Sequence, residues 1–297
     1  MKKISLLVII ILIGIGCSKK EKSVNNTDKF TIKRGLNVSH WISQSSKRGV
    51  ERENYMSAKD FKVIAEMGFD HIRLPIDEEH MWNEDGTKDE AAFRLMHSAI
   101  DWAFDNDLRV IVDLHVIRAH HFNDPNNREL WEDKSAQENF INFWRQLSTE
   151  LKIYPNAKLA YEPLNEAVAE KPEEWNNLIN WVISEIRKLE PERTIIMGSN
   201  RWQTVGTFKD LQVPQNDPNI ILSFHYYEPF LLTHYKASWS SLKDINVPVY
   251  YPGPHIKEED YKKIDKEYVK ILKGLNQNFD RVSMENEIIQ AVEVAKK

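Results

Sequence analysis

The stretch LAYEPLNEAV, residues 159–168, sets two glutamates four residues apart in an apolar, strand-like run, with Asn165 directly before the second. Carboxylates are costly to bury, so Glu162 and Glu166 each need a reason to be there. Paired carboxylates do general acid/base and nucleophilic work on one bond. They stand about 5–5.5 Å apart when one attacks directly, and about 6.5–9.5 Å apart when a water intervenes. On an extended strand Glu162 and Glu166 point the same way but lie about 13 Å apart, at roughly 3.3 Å per residue. They are therefore not a reacting pair. Glu162, deeper in the strand, reads as scaffold paired with Arg73, and Glu166 at the rim reads as chemistry.

The elements that position them alternate. RGLNVSHW, FDHIRLPI, LRVIVDLH, KLAYEPLNE, RTIIMGSN and NIILSFHYY read as six strands. Helices fall between them. SAKDFKVIAEMG has Ser57 and Asp60 as a capping box, an apolar stripe of Phe61, Ile64 and Ala65, and Gly68 as its stop. Residues 89–106 carry Phe93, Met96, Ile100 and Phe104 on one face. SAQENFINFWRQLSTEL takes Ser135 as N-cap with Glu138, and turns Phe140, Phe143, Trp144 and Leu147 inward. Pro172 opens the next helix and Pro191 follows its end. Strands rich in Ile, Val and Leu, separated by helices, predict a parallel sheet covered outside. A repeat of roughly 35–45 residues over six units predicts an α/β fold of the TIM (β/α)8 barrel type. No Gly-rich phosphate loop follows a strand, which argues against dinucleotide binding. After the sixth strand, residues 228–255 read as a long aromatic, Pro-containing loop. Helical stretches follow at 257–275 and 283–297, the second with Ile288, Ala291, Val292 and Ala295 at helical spacing.

In a (β/α)8 protein the chemistry lies where strands end. Those positions hold Arg73, His115, Asn165 with Glu166, Trp202, and His225 with Tyr227. Arg73 suits both pairing with buried carboxylates and direct work in the site. His115 and His225 would each pass alone as core histidines; beside Glu166 they read as site residues. His115, His120 and His121 lie in no metal-binding motif and have no acidic ligand at clear spacing, so no metal or cofactor is expected. Trp202 and Trp41 are candidates for stacking on a sugar face, with His120 and His121 as further substrate contacts. The net charge of −5 gives no reason to expect a nucleic-acid partner.

The N-terminus is not part of this fold. A basic MKK and an apolar run, Ile4 to Ile15, precede GIGCSKKEKSVNNTDK. The run is short for a membrane span. It resembles a bacterial lipoprotein signal, although Gly14 stands where such signals usually carry Leu. Residues 1–17 are read as that signal with Cys17 lipidated, 18–29 as a flexible tether, and 30–297 as the domain. The expected location is the cell envelope, at the outer membrane or cell surface, with plain secretion as the alternative. Cys17 is the one cysteine, so no internal disulfide supports the fold.

Taken in order, RGLNVSHW, GFDHIRLPI, VIVDLH, YEPLNE, GSNRWQ and ILSFHYYEPF resemble glycoside hydrolase family 5, the cellulase family of the clan of retaining (β/α)8 glycosidases. The resemblance implies that Glu166 is the general acid/base. It implies that Asn165 bonds the sugar 2-hydroxyl and the nucleophile, that Arg73 steadies the nucleophile, and that His115, His225 and Tyr227 line the −1 subsite. The substrate implied is β-1,4-glucan or a related β-glycan, acted on by a monomer. The family also carries a nucleophilic Glu at the end of strand seven and an aromatic residue after strand eight. Here six βα units are read, strands seven and eight are missing, and Glu228, Glu258, Glu259, Glu285 and Glu287 do not occupy strand ends. The chain is thus expected to be a C-terminally truncated, inactive or weakly active endoglucanase-like enzyme. The alternative is a lipid-tethered glycan-binding protein without catalysis.

Overall fold

The computed structural model describes residues 29–296. The signal, Cys17 and the tether up to residue 28 lie outside the described residues. Six strands form one parallel sheet in sequential order: β1 (Gly35–Asn37), β2 (His71–Asp77), β3 (Arg109–Val116), β4 (Leu159–Glu162), β5 (Thr194–Gly198) and β6 (Ile220–Ser223). The sheet curls into a half-barrel, the arrangement expected of six successive βα units. Strands β4 and β5 are buried throughout, β2 and β3 nearly so, whereas the edge strand β1 is exposed and β6 half-buried.

Helices α1 (Ala58–Glu66), α2 (Glu90–Asp105), α3 (Lys134–Leu151) and α4 (Pro172–Leu189) cover the sheet. Asp60 accepts the Ser57 N–H at 2.8 Å, as the capping-box pattern predicts. Helix α3 starts earlier than its sequence suggests. Asp133, not Ser135, is the N-cap, and its carboxylate accepts the Ser135 N–H at 2.7 Å. A carboxylate there also answers the helix dipole, which a hydroxyl does not. Phe93, Met96 and Ile100 of α2, and Phe140, Trp144 and Leu147 of α3, pack into one large core.

Two sequence expectations change. Strand β4 stops at Glu162 because Pro163 has no N–H for the ladder. Glu162 and Glu166 are thus not on one straight strand, and the 3.3 Å-per-residue spacing does not apply between them. The segment after β6 is more than a loop. Leu231, Leu242, Ile245, Val247, Ile256 and Leu272 form a second core, closed by a two-residue antiparallel pairing of Gly253–Pro254 with Asn278–Phe279. Those residues follow neither period 2 nor period 3.6, so no pattern announces them. Helix α5 is Lys266–Leu275 and α6 is Arg281–Ala295. Of the expected apolar face of α6 only Ala291 is buried, against Val205 and Phe208. Among the described residues no helix is long and apolar enough to cross a membrane.

Candidate active site

Arg73 organises the centre of the half-barrel. Its Nε donates to Glu162 Oε2 at 2.7 Å and its Nη2 to Glu162 Oε1 at 3.0 Å, a two-pronged grip. Nη2 also meets Asp113 Oδ2 at 2.8 Å and Asn165 Oδ1 at 3.0 Å, while Nη1 donates to Asn37 Oδ1 at 3.0 Å. The pairing expected of Glu162 is therefore present. Burial works against the guanidinium charge, but Asp113 and Glu162 outweigh it and raise the Arg73 pKa. Burial also pushes both carboxylates up. Arg73 overcomes it at Glu162, which ends below its ordinary value, while at Asp113 burial wins.

Asp113 escaped sequence reading. It sits in the apolar run VIVDLH, opposite Glu162 in the β3–β4 register. A lone carboxylate inside such a run, two residues before a histidine on the same strand face, is the signal that would have found it. It meets His115 Nδ1 at 2.6 Å and so fixes the orientation of that buried ring.

Glu166 follows β4 with φ of 48°, a left-handed conformation. Its Oε1 lies 2.6 Å from His225 Nδ1, past the end of β6. Its N–H donates to Gln203 Oε1 at 3.0 Å, and its carbonyl lies 3.3 Å from His120 Nε2. The Asn165 carboxamide oxygen is committed to Arg73, so what it has left to offer a ligand is its N–H donors. Tyr227, 57% exposed, stands on the rim with its ring edge-on to His234. Arg73, His115, Asn165, Glu166 and His225 are thus brought together, with Tyr227 on the rim.

The sugar-contact candidates divide. Trp202 is 37% exposed and its Nε1 donates to the Phe122 carbonyl at 2.8 Å, which leaves a ring face for stacking. His121 is half-buried with its ring tilted against Phe122. His120 is buried beneath the Glu166 carbonyl, and burial pulls its pKa down to about 4, so it is neutral support rather than a surface contact. Trp41 is a correction. It is fully buried, donates Nε1 to the Arg52 carbonyl at 2.7 Å and stacks on Trp102, so it belongs to the core. RGLNVSHW reads as one strand, but β1 stops at Asn37 and Trp41 lies beyond it.

His115, His120 and His121 do not converge on a metal. His115 faces Asp113 and His120 faces a carbonyl. The group of potential ligands found among the described residues is Asp77, Glu79 and His80. The Arg48 guanidinium already sits there, 3.1 Å from His80 Nε2 and 3.3 Å from Glu79 Oε1, where it would repel a cation.

A parallel βα half-barrel with an Asn-Glu step and histidines at its C-terminal strand ends has the site arrangement of a (β/α)-barrel enzyme. The comparisons carry this to a family. Residues 26–282 match the model of the cellulase family, glycosyl hydrolase family 5, and the chain belongs to that family. Endoglucanase C of Acetivibrio thermocellus is 30% identical over 273 residues, covering 90% of this chain and 78% of that protein. Cellodextrinase A of Ruminococcus flavefaciens is 30% identical over 230 residues, covering 76% of this chain and 66% of its own. A hyperthermophilic endo-beta-1,4-glucanase solved in complex with substrate superposes with a TM-score of 0.67 at 28% identity, over 89% of this chain and 74% of that one. Thermotoga maritima Cel5A in complex with mannotriose gives a TM-score of 0.64 at 25% identity, over 80% and 72%.

Proposed function

We propose that this chain binds β-1,4-glucan at the C-terminal ends of its strands and carries the general acid/base, Glu166, of a retaining endo-β-1,4-glucanase site, with weak turnover or none by this chain alone. The observation that carries the reading is the placement of Glu166. It stands beyond β4, in hydrogen-bond contact with His225 and next in sequence to an Asn165 that Arg73 fixes. In the retaining reaction a carboxylate nucleophile attacks the anomeric carbon while Glu166 gives its proton to the glycosidic oxygen, which leaves with the bonding electron pair, and a glycosyl ester forms. In the second step Glu166 takes a proton from a water whose oxygen displaces that carboxylate from the anomeric carbon. Asn165 offers donors to the 2-hydroxyl, an interaction that strengthens in the oxocarbenium-like transition state. Trp202 supplies a stacking face. The nucleophile implied by the family belongs to a seventh strand, and the described parallel sheet has six.

Calorimetry with cello-oligosaccharides, paired with a reducing-sugar assay on soluble β-glucan, tests the reading. Hydrolysis abolished by Glu166→Ala supports it. Binding without hydrolysis, weakened by Trp202→Ala, favours a glycan-binding protein instead. Absence of binding to glucan and mannan oligosaccharides removes both. The proposal extends to export as a monomer tethered through a lipid on Cys17. Labelled palmitate should enter the full chain and fail to enter Cys17→Ser, and sedimentation should give the mass of one chain.

A further inference from the structure

The turn after β5 has an unusual backbone. Arg201, Trp202 and Gln203 have φ of 52°, 60° and 55°, and none is glycine. Successive left-handed residues with side chains persist only where their surroundings hold them. This turn sends Gln203 into the barrel, where it is 1% exposed. Gly198 makes room for it: a Cβ there would lie 2.0 Å from Gln203 Nε2.

Three hydrogen bonds converge on Gln203. Its Oε1 accepts the Glu166 N–H at 3.0 Å, its Nε2 donates to Glu162 Oε1 at 3.3 Å, and its main-chain oxygen accepts the His225 N–H at 2.9 Å. The amide can face only one way, because an N–H donor stands on one side and a carboxylate on the other. Glu166 and His225 meet through their side chains at 2.6 Å, and Gln203 grips the backbone of both.

We propose that Gln203 is a positioning residue. It locks the backbone of Glu166 and of His225 in register, so that the Glu166 carboxyl is aimed at the leaving oxygen. Gln203 exchanges no proton itself. The inference rests on the acid/base reading of Glu166, and the experiments separate the two.

The first readout is the downfield proton shared by Glu166 Oε1 and His225 Nδ1, identified by its loss in His225→Gln. Gln203→Met keeps the length and removes the amide; this resonance should vanish from a folded Gln203→Met protein. Its persistence there overturns the proposal. Should that variant fail to fold, amide exchange in the unaltered chain decides: the Glu166 N–H should be protected, and exchange at the rate of a free amide overturns the assignment. The third readout is turnover. Gln203→Met should lose about 10²-fold in kcat on cello-oligosaccharides, the scale of general-acid catalysis. It should lose far less on aryl glycosides whose leaving group needs no proton, with KM unchanged. Equal losses on both substrates would mean a merely structural role. The acid/base reading itself fails if Glu166→Ala hydrolyses β-glucan as fast as the unaltered chain, a result that leaves the resonance and exchange outcomes standing.

Discussion

Nδ1 of His225 lies 2.6 Å from Oε1 of Glu166, although 59 residues separate them in the chain. The contact joins the segment beyond β4 to the segment beyond β6. It gives the carboxylate one defined orientation, while Arg73 fixes the neighbouring Asn165. Removal of His225 should therefore disturb turnover more than binding. We expect His225→Ala to lower kcat on β-glucan by about 10²-fold, within the range for a disturbed general acid, and to leave calorimetric affinity for cello-oligosaccharides within a few-fold. A loss confined to affinity would count against the arrangement.

The Arg73 cluster predicts an order of stabilities. Arg73→Met strands Glu162 and Asp113 without their cation and should cost about 3–5 kcal/mol, the range for breaking a buried ion pair. Glu162→Gln keeps the shape and one acceptor and should cost less, about 1–3 kcal/mol. Urea unfolding of the two variants beside the parent chain checks the order, and equal costs would contradict it.

Asp77 and His120 should bend the pH dependence of stability in opposite directions. Burial pushes the Asp77 carboxyl up to about 6, and its Oδ1 has no hydrogen-bond partner among the described residues. With the folded pKa above the unfolded one, its contribution is full below about pH 4 and is lost as pH rises through 6. The size is on the order of 3 kcal/mol. His120, pulled down to about 4 by burial, behaves in the other sense. Its contribution is full above its unfolded pKa and is lost as pH falls through 4, again by on the order of 3 kcal/mol. Unfolding curves at pH 4, 5, 6 and 7 should show Asp77→Asn gaining relative to the parent as pH rises. His120→Gln should gain relative to the parent as pH falls.

The two tryptophans should separate cleanly. Trp41→Ala empties a core site and should cost about 3–5 kcal/mol of stability. Trp202→Ala should cost little stability while weakening oligosaccharide binding by roughly 10-fold, or about 1.4 kcal/mol. Because Trp202 has positive φ, Trp202→Gly should be more stable than Trp202→Ala, by on the order of 1 kcal/mol. Thermal melts and calorimetry on the three variants check both statements.

Much of this molecule is written locally. Alternating apolar strands and amphipathic helices set the parallel sheet and its order, because side-chain period and capping chemistry act over a few residues. The same local reading put His115, Asn165, Glu166 and His225 at strand ends, since ladder and turn residues mark where strands stop, whereas Arg73, read as a strand-end residue, lies inside the ladder of β2 and reaches the site only through its long side chain. Other features were decided only in three dimensions. Pro163 ends β4 at Glu162, and the left-handed conformation of Glu166 then aims a side chain that strand alternation would have placed elsewhere. Asp113 joins Arg73 through strand register, and Gln203 reaches Glu166 through a turn whose backbone no propensity favours. Trp41 has the composition of a rim residue and is sealed in the core by Trp102 and the Arg52 carbonyl. Burial and long-range partners set these outcomes. Both depend on what the rest of the chain brings alongside, and neither is a property of the residue or its near neighbours.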